Sequence, residues 1–225
     1  MPIFNEINTL EICVHKVHKA LQQYEFEIII IDDNSPDGSG HLADQLSKRF
    51  SNVKVVHRNS RQGLGTAYKE GFIDCTGDLI FSIDSDLSHD PKYLPVMIEQ
   101  ISQSDIVIGS RICEGGKIIG RHYSRDFFTY LTNLFIRFSV NRNIHDWTSG
   151  FRLYRRSIWE TVMPNVQCNK WDFQFESLYR SQKLGAVIKE IPITFYERAG
   201  GSSKFNSLDA IVFLKSFFRI LLSRS

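Results

Sequence analysis

A chain of 225 residues, 42% of them apolar, can bury the core of one sizeable domain, alone or with a small extension. Its formal net charge of +2 excludes the strong one-signed field on which nucleic-acid binding depends. Cys13, Cys75, Cys113 and Cys168 stand far apart with no CxxC pair, which excludes a zinc ribbon or disulfide scaffold and makes a reducing compartment the expectation.

No basic-then-apolar leader opens the chain, and no run of about 18 uncharged apolar residues occurs, so neither a signal peptide nor a clear membrane span is expected. Seventeen Phe suit either a large core or a lipid-facing surface.

Taken in order, MPIFNE reads as the loop after a strand, with no strand before it; the expected sheet is truncated at its start or one strand short. FEIIIID (26–32) reads as a buried strand, and the helix after it is expected to start with Ser35 as N-cap and Pro36 in its first turn. VKVVH (53–57) is a second strand, followed by a glycine-bearing turn and a helix from about Leu64 to Cys75. DLIFSI (78–83) is a third strand, Asp90-Pro91 caps the next helix, and DIVIGS (105–110) is a fourth.

Beyond residue 111 come an aromatic-rich helix over 123–139, then DWTSGFRLYRR, a helix near 172–183 and strand material around Pro192. RLYRR (152–156) reads as a charged surface or membrane-facing patch. The last segment is an amphipathic helix in which Ile211, Leu214, Phe218, Leu221 and Leu222 recur at spacings of three and four, with Lys215 and Arg219 on another face. It can pack on the domain, lie in a bilayer interface or bind a partner's membrane helix. The expected division is therefore a main domain over 1–205 and an amphipathic helix over 206–225 that can lie in a membrane interface.

Alternating strands and helices with near-continuous apolar strands give an α/β fold, a mostly parallel sheet flanked by helices. Ligands of such sheets bind beyond the carboxyl ends of the strands, where Asp32-Asp33 and Asp84-Ser85-Asp86 fall.

Asp84 and Asp86 stand two apart on a strand-end turn, an arrangement that can serve one magnesium or manganese ion already holding a diphosphate; the plainer alternative is a solvated strand end. Ser88 could add a hydroxyl or water-mediated contact, and Asp90 reads as a helix cap. A carboxylate at Asp32-Asp33 could accept from a base or ribose, or simply build the turn DDNSPDG. RQGLGTA (61–67) has half of a dinucleotide fingerprint, but Tyr68 replaces its last glycine and no strand end precedes it; a dehydrogenase is a poor reading, and close approach to a nucleotide stays open. His15 and His18 form a zinc-like pair without a third ligand, better read as a surface helix, and His89 as part of its turn. Arg111, Arg121, Arg125, Arg198 and Lys204 lie in or near glycine-bearing loops, where each is either a phosphate ligand or a solvated side chain.

With these residues in view the chain resembles the family 2 glycosyltransferases of the GT-A fold, and among them the dolichol-phosphate (polyprenyl-phosphate) mannosyltransferases. The resemblance rests on PIFNE, IIIIDDNSPDGSG, RQGLGTAYKEGF, IDSDLSHDPKYLP, GSR, SRDFFTYLTN, DWTSGFRLYRR and EIPITFYERAGGSSKF, in order over nearly the whole chain. It implies that Pro2, Glu6 and Asp33, with Asp32 beside them, line the nucleotide pocket. It implies that Asp84 and Asp86, with Ser85 between them and Ser88 nearby, hold Mg2+ or Mn2+ on a sugar nucleotide. It places Arg111, Arg125 and Thr129 near an acceptor phosphate, and Arg198, Ser203 and Lys204 in a loop over the donor and acceptor phosphates.

The implied reaction is an inverting transfer, most simply of mannose from GDP-mannose to a polyprenyl phosphate, by a peripheral protein at the cytoplasmic face of a membrane, at its surface or beside a membrane subunit. A phosphate monoester, with a second pKa of about 6, needs no general base, which leaves Asp146 and Glu176 structural. A UDP-sugar donor such as UDP-glucose, and a nucleotide-sugar-binding module without catalysis, are the rival readings.

Overall fold

The computed structural model describes residues 1–197 and the helix 207–222. In chain order the elements are β1 (Pro2–Ile3), α1 (Leu10–Ala20), β2 (Ile28–Asp32), α2 (Ser39–Arg49), β3 (Val53–His57), α3 (Leu64–Ile73), β4 (Leu79–Ser82), α4 (Leu94–Ile101), β5 (Ile106–Ser110) and β6 (Lys117–Ile119). They continue as α5 (Tyr123–Ser139), β7 (Arg152–Arg155), α6 (Arg156–Val162), α7 (Asp172–Lys183), β8 (Ile188–Pro192), β9 (Thr194–Tyr196) and α8 (Ser207–Leu222). One parallel sheet runs β1-β2-β3, a second runs β4-β7-β5-β8 with β7 antiparallel to both neighbours, and β6 pairs with β9 in parallel.

Both faces of the sheets are covered, so β2 and β5 are buried at every position. Strand alternation splits the core into two large clusters and a small one of Ile29, Ile31 and Ala67. Val107 and Leu153 join Leu10, Val14, Ile28 and Met97 in one cluster. Ile106, Ile108 and Tyr154 join Trp159, Phe173, Phe175 and Phe217 in the other.

The start of the chain corrects an expectation: Pro2–Ile3 are themselves a strand, with the Ile31 amide donating to the Met1 carbonyl and that of Asp33 to Ile3. Helix α2 also begins later than its Ser-Pro signal suggested. Asp32 accepts from the Ser35 amide, Asn34 sits at φ 59° and Gly38 at φ 92°, and Asp37 accepts from both the amide and hydroxyl of Ser39. Asx-type turns thus occupy the segment through Gly38, and Ser39 opens the helix.

RLYRR is not a surface patch. Arg152 is fully buried on an inner strand, donating to the carbonyls of Gln174 (2.7 Å) and Trp147 (2.8 Å) and to Tyr154 Oη (3.1 Å). Arg155 reaches the carbonyls of Ile101 and Ser104, and Arg156 those of Cys75 and Gly77. These arginines tie strands and helix ends together, and of the buried donors Arg152 Nε alone among the three is left without a partner among the described residues.

Helix α8 packs on α7: Ser216 donates to Asp172 at 2.6 Å, and Phe217 is buried against Phe135, Phe175 and Phe213. The Phe217–Ile220 side therefore faces the core, whereas Leu214, Phe218 and Leu222 of the expected apolar stripe face outward.

Candidate active site

Three strand ends converge on one open cleft of about 400 Å³: Pro2 to Phe4 from β1, Asp33 just past β2, and Asp84 to Asp86 beyond β4. Glu6, the loop Arg61 to Leu64 that starts α3, and Lys170 and Trp171 before α7 complete it.

The register β2–β3 sets Asp32 beside His57, so the next pair, Asp33 and Arg58, meets at the cleft. Arg58 Nη1 donates to Asp33 Oδ1 at 2.6 Å with both side chains buried, and Arg58 also pairs with Glu70 at 3.0 Å. Burial pushes the Asp33 carboxyl upward against the pull of Arg58, so the carboxylate is aimed by one strong partner rather than by many. Asp32 points the other way: Oδ1 accepts from the Ser35 amide, Oδ2 lies 3.4 Å from His57 Nδ1, and Gly40 packs against it with no room for a Cβ. It shapes the β2–α2 turn and does not line the cleft.

Asp84, Ser85 and Asp86 all line the cleft. Leu87, at φ 64°, reverses the chain, and both the amide (3.0 Å) and hydroxyl (2.6 Å) of Ser88 return to Asp86 Oδ1. Ser88 is buried and holds Asp86 in place; it does not face the cleft itself. Among the described residues no three His, Cys, Asp or Glu side chains converge as a metal cage. Two carboxylates on a cleft wall fit a hard cation that completes its shell from a diphosphate and water, and do not fit a closed structural site.

His89 links the acids to the cations. It is buried, stacked on Phe151 at 5.1 Å and edge-on to Phe195 at 5.5 Å, with Nδ1 3.7 Å from Asp84 Oδ2. Around the same Phe195 ring lie Arg111 (5.5 Å) and Arg121 (5.9 Å). Arg111 forks Asp146 and also donates to Thr148. Arg125 Nη1 donates to both carboxylate oxygens of Glu197 at 2.9 and 3.0 Å, and the Thr129 hydroxyl donates back to the Arg125 carbonyl. Arg198, Ser203 and Lys204 lie outside the described residues.

The glycines of RQGLGTA serve packing. A side chain at Gly63 would collide with the Asn169 carbonyl, and one at Gly65 would stand 2.8 Å from Phe173 and from the Cys168 carbonyl. They let α3 close on the loop that presents Lys170 and Trp171.

The family model described as Glycosyl transferase family 2 matches residues 1–163. This chain is a family 2 glycosyltransferase. The undecaprenyl-phosphate mannosyltransferase of Micrococcus luteus is 34% identical over 210 residues, covering 92% of this chain and 86% of that protein. The polyprenol monophosphomannose synthase of Mycolicibacterium smegmatis is 35% identical over 212 residues, covering 92% and 79%. Glucosyl-3-phosphoglycerate synthase of Mycobacterium tuberculosis, solved with Mn2+ and UDP-glucose, superposes with a TM-score of 0.69 at 17% identity, over 99% of this chain and 76% of that one. Its complex with Mn2+, UDP and phosphoglyceric acid gives 0.72 at 17% identity, over 100% and 78%. The likeness establishes the GT-A fold of this glycosyltransferase.

Sequence reasoning missed four cleft residues of this family 2 glycosyltransferase: Phe4, Arg61, Lys170 and Trp171. Arg61 stacks over Phe4 at 5.1 Å, a contact no local pattern encodes. Arg58 was missed too, although its place after an apolar strand, in register with Asp33, was an available signal.

Proposed function

We propose that this glycosyltransferase moves mannose from GDP-mannose to a polyprenyl phosphate, with inversion at the anomeric carbon, while Asp84 and Asp86 hold Mg2+ or Mn2+ on the donor's diphosphate. One observation carries the reading: carboxylates that could serve as a base for a hydroxyl acceptor are locked into structural pairs, whereas guanidiniums gather at Phe195, which His89 joins to the metal-type acid Asp84. Asp146 is fully buried and forked by Arg111, and that charge with its hydrogen bonds holds its carboxyl below the ordinary range against the opposing effect of burial. Glu176 accepts from the amides of Gln167 and Cys168 and from Arg180, and is likewise lowered although burial opposes it. An acceptor already ionised at neutral pH needs cations around it and no base. Two similar proteins, the undecaprenyl-phosphate mannosyltransferase and the polyprenol monophosphomannose synthase, support that acceptor class.

In this scheme Asp33, aimed by Arg58, and Glu6 face the nucleotide. Asp86, fixed by Ser88, and Asp84 face the diphosphate. Arg111 and Arg125, with Arg198 and Lys204, hold the nucleophilic phosphate beside another anion, and Ser203 and Thr129 stand near them. The metal, when bound, neutralises charge developing on the leaving nucleoside diphosphate. A lipid acceptor places the protein peripherally at the cytoplasmic face of a membrane. Exposed Phe127, Phe128 and Phe138 on α5, beside Phe218 and Leu222 on α8, support that placement. No helix of the described residues is long and apolar enough to cross a membrane.

The test is transfer from GDP-mannose and UDP-glucose, side by side, to polyprenyl phosphate with Mn2+ or Mg2+. Mannosyl transfer from GDP-mannose alone supports the proposal. Transfer from UDP-glucose reassigns the donor, and no transfer to any lipid phosphate ends the reading.

A further inference from the structure

Arg111 and Arg121 lie over the Phe195 ring, with the Arg125 charge acting on Arg121, and Arg121 differs from the other two in kind. Arg111 forks the Asp146 carboxylate, and Arg125 Nη1 donates to both oxygens of Glu197. Arg121 does neither: its Nε comes only to 3.6 Å from Asp126 Oδ1, and Nε and Nη1 are both buried with no hydrogen-bond partner. Asp126 Oδ1 is likewise buried and unbonded. The charge of Arg121 has a loose counterion, but Nε and Nη1 have no acceptor among the described residues. Burial, then the neighbouring Arg111 and Arg125 charges, bring its pKa down to about 10.

Stacking on Phe195 can account for where the side chain lies, but not for donors left unmatched in a protein interior, which destabilise the fold. Buried donors of this kind mark either strain or a ligand to come. The side chain is 13% exposed, so it is not sealed off, and it shares with Arg111 the Phe195 ring that meets His89 beside Asp84. A planar guanidinium with free edges is the group best suited to a phosphate, which it can meet with two parallel N–H···O bonds.

We propose that Arg121 is an acceptor-binding residue, contacting the phosphate monoester of the lipid alongside Arg111 and Arg125 and exchanging its loose approach to Asp126 for direct hydrogen bonds to the phosphate oxygens. This rests on the proposed function for the identity of the acceptor, but not for the presence of an anion site.

Arg121→Gln removes the charge and the fork, and Arg121→Lys keeps the charge alone. The expected result for Arg121→Gln is a KM for polyprenyl phosphate raised about tenfold or more, with the KM for GDP-mannose within about twofold of the parent and an unchanged melting temperature; Arg121→Lys falls between. Inorganic phosphate, titrated by NMR into the parent and both variants without donor, reads the site independently of turnover and should weaken in the same order. If the parent transfers no sugar to a lipid phosphate yet binds inorganic phosphate in an Arg121-dependent manner, the proposed function fails and the anion site stands. Unchanged acceptor KM and phosphate binding in folded variants, equal losses for donor and acceptor, or unfolding of both variants would each make Arg121 structural and overturn the proposal.

Discussion

Arg111 grips Asp146 at three points: Nε to Oδ2 at 2.8 Å, Nη2 to Oδ1 at 2.7 Å, and its own backbone amide to Oδ2 at 3.0 Å, with both residues buried. The pair joins the end of β5 to the segment before β7 and fixes the guanidinium over Phe195. Asp146→Ala would leave a buried cation without its partner. A loss of about 3–5 kcal/mol is expected, read by urea denaturation. Because the folded carboxyl lies below its unfolded value, this stability is present above the ordinary Asp range and is lost as pH falls through the lower folded value. A fully stable variant that loses only turnover would instead make Asp146 a catalytic base.

Asp86→Asn keeps an acceptor for the Ser88 amide and hydroxyl while removing the charge offered to a cation. Turnover should fall at least about 10²–10³-fold with an unchanged circular dichroism spectrum. A chelator should abolish parent activity and Mn2+ or Mg2+ should restore it. Near-parent turnover of Asp86→Asn would remove the metal assignment.

Glu27, far from the cleft, pins the loop before β4. Burial opposes its charge, but hydrogen bonds from Lys54 and from the amide and hydroxyl of Thr76, together with the Lys54 charge, bring its pKa down to about 2. Glu27→Gln should cost about 1.5 kcal/mol at neutral pH. A depressed folded pKa means that the parent's advantage is complete above about pH 4.5 and shrinks as pH falls toward 2. Denaturation curves at pH 7, 4 and 2.5 check this; a difference independent of pH would refute the electrostatic origin.

The aromatic face of α5 and the outer side of α8 adjoin through Phe135 and Phe217, whose rings lie 4.9 Å apart. Replacing Phe127, Phe128 and Phe218 with Ser leaves the buried Phe217 in place. Flotation with vesicles should drop at least about tenfold, since an inserted Phe contributes on the order of 1.5–3 kcal/mol. Equal flotation of the triple variant would exclude this face as the anchor.

Much of the molecule was legible in the chain because its determinants are local. The apolar runs at 28–32 and 106–110 declare buried strands, Asp90 before Pro91 declares a helix start, and the strand-end carboxylates Asp33, Asp84 and Asp86 face the cleft as their position in an α/β sheet requires. Tertiary structure decided which neighbours those residues have. Asp32 and Asp33 are adjacent, yet one turns into a loop and the other into the cleft. RLYRR has the composition of a surface and the location of a core, since the carbonyls that satisfy Arg152 come from Trp147 and Gln174, on segments folded against its strand. The surroundings of Arg121 are likewise set by three separate segments, which bring the Arg111 and Arg125 charges and the Phe195 ring to it. Backbone preference and hydrophobic period act within a few residues and can be read along the chain, whereas burial, hydrogen-bond partners and the charge around a group are set by residues distant in sequence and exist only once the chain has folded.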